Sequence, residues 1–132
     1  MFEYETSAVA PDFATVAHIQ ESPKGHFVAL VIRPQSVEEQ YTTTGELYLR
    51  VHGFDMDGTA TGAIRLWRYT ASDIISGQIY IIRGLKVVEE TYWSTEAWKY
   101  VPNEDGTKTI EITSRTAVED VTDVVEIAKY FL

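Results

Sequence analysis

Two short segments of the chain alternate so that stacking and charged side chains gather on one side. In Leu47-Tyr48-Leu49-Arg50-Val51-His52, an extended strand turns Leu47, Leu49 and Val51 one way and Tyr48, Arg50 and His52 the other. In Ile64-Arg65-Leu66-Trp67-Arg68-Tyr69, Ile64 and Leu66 point inward, while Arg65, Trp67 and Tyr69 point outward. A solvent face normally carries Thr, Ser, Lys or Glu. Together these two outer faces offer three aromatics, two arginines and a histidine, with no carboxylate. That chemistry suits single-stranded nucleic acid. An unpaired base exposes a π-face, and its stacking on Trp or Tyr is worth ~1–3 kcal/mol. Arginine stacks on bases and meets phosphate with a forked, charge-assisted pair. The competing expectation is that Tyr48, Trp67 and Tyr69 form cross-strand packing pairs beneath an N-terminal arm.

A second aromatic group falls in residues 89–107. Tyr92, Trp93, Trp98 and Tyr100 surround Lys99, a composition common in loops that carry binding residues. Glu89, Glu90 and Glu96 in the same stretch oppose phosphate. Other chemistries are poorly supplied. The chain has no cysteine, which removes disulfides, thiol nucleophiles and thiolate metal sites and fits a reducing compartment. Asp55-Met56-Asp57-Gly58 resembles the start of a calcium loop but lacks the later ligands, the closing bidentate glutamate among them, and reads as a hairpin turn. His18, His26 and His52 are scattered without metal-ligand spacing. There is no nucleophile elbow and no glycine-rich phosphate loop. The expectation is a non-enzymatic protein with no cofactor and no metal.

The elements that must position these residues are strands. β-Branched and aromatic runs are separated by Gly, Pro, Asp and Thr clusters. Residues 1–25 read as an arm. Five strands follow: His26 to Val37, Glu46 to Phe54, Gly62 to Tyr69, Gln78 to Val88 and Lys108 to Arg115. The first is apolar on both faces from Phe27 to Ile32. Glu38 to Gly45 reads as a polar link, and Thr70 to Gly77 as a short helix between strands 3 and 4. Residues 117–132 form an acidic tail in which Val121, Val124, Val125, Ala128 and Phe131 suit a short C-terminal helix. Five strands with long links after the first and fourth predict an all-β, five-stranded OB-fold barrel over 26–116, which closure would rid of open edges. Another small antiparallel barrel or sandwich is the alternative.

The formal net charge of the 132 residues is −9, which argues against a polyanionic partner. Its distribution argues less strongly. Residues 1–46 carry net −5, residues 47–88 net +2 and residues 89–132 net −6. The expectation is a basic patch around Arg50, Arg65 and Arg68 or Arg83 on an otherwise acidic surface. No apolar run is long enough to span a membrane, and the acidic start Met1-Phe2-Glu3-Tyr4-Glu5 is unlike a signal peptide. An intracellular setting is expected, nuclear if the organism is eukaryotic.

The segments Gly62-Ala63-Ile64-Arg65-Leu66-Trp67-Arg68-Tyr69 and Gly77-Gln78-Ile79-Tyr80-Ile81-Ile82-Arg83-Gly84-Leu85-Lys86-Val87 resemble the DNA-binding OB domains of the replication protein A large subunit. Those domains have a Gly-x-Ile-Arg strand after an acidic turn, a short helix, then a Gly-x-x-Tyr strand leading to Gly-x-Leu-Lys. The resemblance takes in Gly25-His26-Phe27 upstream and Val118-Glu119-Asp120-Val121-Thr122-Asp123 downstream, covers roughly residues 19–127, and has specific motifs over 62–88. It implies that Arg65 meets DNA, that Tyr69 stacks on a base, and that Trp93 or Trp98 supplies a second stack. It also implies a role in DNA replication or repair. The chain departs from the pattern in a longer turn at 55–61, a much longer link at 89–107 and a 38–44 link without basic residues.

The sequence thus predicts single-stranded nucleic-acid binding, DNA rather than RNA, by Tyr48, Arg50, His52, Arg65, Trp67, Tyr69, Arg83, Trp93, Trp98 and Lys99. The rival is an OB-fold module that binds other protein subunits through its aromatics and acidic surface.

Overall fold

The computed structural model describes residues 14–132. The first thirteen residues of the expected arm lie outside the described residues. Helix α1 (Val16–Glu21) precedes strands β1 (Phe27–Tyr41), β2 (Leu47–Phe54), β3 (Ile64–Trp67) and β4 (Tyr80–Glu89). A hairpin of β5 (Thr91–Ser94) and β6 (Lys99–Pro102) follows, then β7 (Lys108–Glu111), β8 (Ala117–Asp120), helix α2 (Val125–Ala128) and a 3-10 turn over Lys129–Phe131. The described residues are mostly β, and the named pairings are antiparallel.

The main sheet runs β3-β2-β1-β4-β7, with β8 also on β4. β1 is long enough to serve two partners: Phe27 to Ile32 pair with β4, and Arg33 to Tyr41 pair with β2. Pro34, which has no N–H to give a ladder, sits where the partner changes, beside a bulge between Pro34 and Ser36. β7 and β8 follow each other along one edge of β4, joined by a turn. In that turn the hydroxyls of Thr113 and Thr116 donate to the carbonyl of Gly84.

Three expectations are corrected here. The helix expected at 70–77 is a series of turns, and the helix lies before β1 instead. The Asp73 carboxylate accepts from the backbone N–H of Thr70 at 2.7 Å, and the Asp73 N–H donates to the Thr70 carbonyl at 2.9 Å, which fixes a local turn there. Secondly, no ladder among the described residues joins β3 to β7, so hydrogen bonds do not close the sheet into a barrel, although the two strands run close together. Thirdly, residues 89–107 are not an irregular link. β5 and β6 pair there, with Trp93 opposite Tyr100 and a turn that places Trp98 at φ 53°.

The core has two parts. Leu30, Ile32, Leu49, Val51, Ile64, Leu66, Tyr80, Ile82 and Leu85 fill the inner side of the sheet, with Ile19 from α1 and Ile74 from the 70–77 turns. Val31, Ile79 and Ile81, on the opposite side of the same strands, are covered by Ala14, Val121 and Ile127. The two-sided apolar pattern of β1 therefore reflects burial on both faces. The segment read as an acidic tail supplies β8 and, in Val121 and Ile127, two of the six buried residues of the second cluster, while Val125 stays exposed.

Gly53 marks a close approach of β2 to β1. A Cβ there would lie 2.2 Å from the carbonyl oxygen of Arg33 and 2.8 Å from Cα of Pro34, both backbone atoms. Gly53→Ala is expected to destabilise the fold by about 1–3 kcal/mol through overpacking. An unchanged urea midpoint would show that β1 can move aside at its bulge.

Candidate nucleic-acid interface

The alternation read from β2 and β3 positions the candidate side chains. Leu49, Val51, Ile64 and Leu66 are buried inward, and Tyr48, Arg50, Arg65 and Trp67 share the outer side. The register then sets neighbours across strands. Tyr48 stands opposite Trp67, and Arg50 opposite Arg65. The Tyr48 and Trp67 rings are tilted by 50° with centroids 5.0 Å apart. The guanidinium of Arg65 lies 5.5 Å above the Tyr48 ring, within cation–π range. Trp67 is half-buried and Arg65 exposed.

β1 contributes to this face as well. Because it continues to Tyr41, it brings Glu38 opposite Arg50 and Gln40 opposite Tyr48. The carboxylate of Glu38 lies 3.9 Å from Arg50 Nη1, so the face expected to be free of carboxylates holds one. Sequence reasoning missed Glu38 and Gln40 because 38–41 has no alternating apolar residue. The available signal was the lack of Gly, Pro, Asn or Asp between Gln35 and Thr42.

Two outward assignments also change. Tyr48 is on the outer side but only 8% exposed, roofed by Trp67 and Arg65. Tyr69 packs against the main core rather than facing out. The cause is Arg68, whose φ of 72° breaks the strand alternation after Trp67. His52 lies further along β2, opposite Ser36 of β1 and beyond the reach of β3.

The remaining candidates are dispersed. Arg83 is on β4, where its Nη1 meets Glu119 Oε1 at 2.6 Å. The expected basic patch is therefore reduced: Arg50 and Arg83 each have a carboxylate neighbour, and among the described residues no ion pair involves Arg65 or Arg68. Trp93, Trp98 and Lys99 stand on the β5–β6 hairpin. Trp93 takes Trp98 edge-on at 6.4 Å and Tyr100 at 5.2 Å, leaving Trp98 78% and Tyr100 68% exposed.

The open seam between β3 and β7 forms a groove beside this face. One cavity of about 570 Å³ reaches from Arg65 and Trp67 across Leu85 and Glu111 to Glu90 and Thr91 at the hairpin base. A second, of about 350 Å³, adjoins it at Trp67 and Ile112 and extends past Arg68 and Tyr69 to Ser114 and Thr116. Arg65 and Trp67 thus line a depression along the seam, while Glu89, Glu90 and Glu111 make its hairpin end acidic. Comparison with known proteins gives no matching family model and no matching curated protein.

Proposed function

We propose that the chain is an OB-type domain whose β2–β3 face binds single-stranded nucleic acid, without catalysis. The observation that carries this reading is the cross-strand pair Arg50 and Arg65 next to the packed Tyr48 and Trp67. Glu38 lies beside Arg50, while Arg65 has no ion pair among the described residues and is the member of that pair open to a phosphate. Beside them, Trp67 offers a half-exposed ring at the meeting point of the two cavities. The order β3-β2-β1-β4-β7 supports the fold assignment. It matches an OB barrel with β7 as fifth strand and a partly open seam, in which the second and third strands carry the ligand face. The resemblance of residues 62–88 to replication protein A domains favours DNA, and with it a place in replication or repair.

A second reading, a protein-interaction module, is favoured by one feature. The exposed Trp98 and Tyr100 stand on a hairpin flanked by Glu89, Glu90 and Glu96, a poor setting for phosphate.

Fluorescence titration with labelled oligothymidine and a duplex of equal length separates the two. Single strands are expected to bind more tightly, since stacking needs unpaired bases. Among the described residues Arg65 and Arg68, which line the groove, have no ion pair, so the salt slope is expected to correspond to about two phosphates. Preference for duplex, or no binding at low salt, would favour the protein-interaction reading.

A further inference from the structure

Three strands lay two parallel rows across the outer face. One row is Gln40, Tyr48 and Trp67; the other is Glu38, Arg50 and Arg65. Hydrogen bonds tie the rows together. The Tyr48 hydroxyl donates to Gln40 Oε1 at 3.0 Å, and Gln40 Nε2 donates to Glu38 Oε1 at 3.3 Å. That same carboxylate oxygen faces Arg50 Nη1 at 3.9 Å. The ring beneath Arg65 is therefore connected, through one amide, to the carboxylate beside Arg50.

The Glu38–Arg50 pair does little for the fold. Both side chains are well exposed, at 56% and 40%, and exposed pairs contribute little to stability. At 3.9 Å the carboxylate is also beyond hydrogen-bond range of the Arg50 guanidinium. What it does is lower the positive potential at that guanidinium, from a position fixed by Gln40. A phosphate approaching Arg50 meets a negative charge already in place. Arg65 has no such neighbour among the described residues.

We infer that Glu38, held by Gln40 beside Arg50, is an affinity-limiting residue that keeps a phosphate from Arg50 and leaves the phosphate contact to Arg65. The inference rests on reading this face as the nucleic-acid site. Its consequence is a ligand held more by stacking than by its backbone, with a shallow salt dependence.

The test compares the wild-type chain with Glu38→Gln and with Glu126→Gln. The second variant changes net charge equally but lies on α2, where Glu126 pairs with Lys129. Anisotropy of a fluorescein-labelled oligothymidine is titrated at several KCl concentrations, and thermal melts check that each variant folds. Glu38→Gln is expected to bind about threefold to tenfold more tightly at low salt, the size of one relieved repulsion at close range in a high dielectric. Its salt slope should steepen by about 0.7, one more neutralised phosphate on a single strand. Glu126→Gln should match the wild type. Equal tightening in both variants would reduce the effect to net charge and overturn the inference. Wild-type binding that Glu38→Gln leaves unchanged or weakens would overturn it while sparing the reading of the face. No binding by any of the three proteins would remove that reading and the inference together.

Discussion

Asp55→Ala is expected to lower stability by about 3–5 kcal/mol, because one buried carboxylate serves three backbone donors. Asp55 is 2% exposed. Its Oδ1 accepts from the N–H groups of Asp57 and Thr59, each at 2.9 Å, and so builds the β2–β3 turn. Its Oδ2 accepts from the N–H of Val16 at 2.9 Å, the first residue of α1. A hydrogen bond to a charged group is worth about 1.5–3 kcal/mol, and a buried donor left unpaired costs about 1–3 kcal/mol. Water recovers part of that in the variant, which keeps the total below a simple sum. Six residues are too few for α1 to persist unaided, and α1 carries Ile19 into the main core. The loss should therefore spread beyond the turn. Urea melts give the magnitude, and amide exchange at Val16 to Ile19 should quicken along with that at Asp57 and Thr59. Asp57→Ala, two residues away and exposed, should stay within about 0.5 kcal/mol of wild type. If Asp55→Ala were equally mild, the carboxylate would not be what joins α1 to the turn.

The same segment illustrates what could be read from the sequence. Asp55-Met56-Asp57-Gly58 was legible as a turn because Asp and Gly favour one locally, and Gly58 takes φ 80° there. That Asp55 also caps a helix 39 positions away was not legible, since nothing local encodes that partner. The inward sets Leu49/Val51 and Ile64/Leu66 followed from period-two alternation, a property of each strand alone. Tyr69 defeated the same rule because Arg68 adopts a left-handed φ that glycine usually supplies. By sequence Glu38 and Gln40 read as a link because their strand is polar on both sides. They are held in β1 by pairing with β2, a tertiary cause that propensity does not carry. The hairpin at 91–102 was hidden for a related reason: Trp98 rather than Gly or Asn holds the positive φ at its turn. The aromatic-rich composition there drew attention to binding but not to strand pairing. At the candidate site, then, residue types and facing were legible on β2 and β3. The counter-charge that β1 brings beside Arg50 was not.

Leu66→Ala and Trp67→Ala, adjacent substitutions on β3, are expected to have opposite consequences. Leu66 is fully buried and belongs to the main cluster. Its truncation should cost about 2–5 kcal/mol of stability, as buried leucines do. Binding per folded molecule should change little, since its side chain points away from the face. Trp67 is half-buried, and its ring meets Tyr48 at 5.0 Å. Losing that contact should cost about 0.5–1.5 kcal/mol of stability, the usual value of an aromatic pair. Its larger effect should fall on the ligand: losing one base stack weakens binding by about 1–3 kcal/mol. Trp67→Phe keeps a smaller ring against Tyr48 and should recover most of the stability and part of the affinity. Urea melts and oligothymidine titrations on the same preparations read both quantities. Should Trp67→Ala unfold the protein while Leu66→Ala is silent, the inward and outward faces of β3 would be exchanged. Should Trp67→Ala lose only stability and bind like wild type, the Tyr48–Trp67 pair would be packing alone, and the nucleic-acid reading would rest on the arginines without a stacking partner.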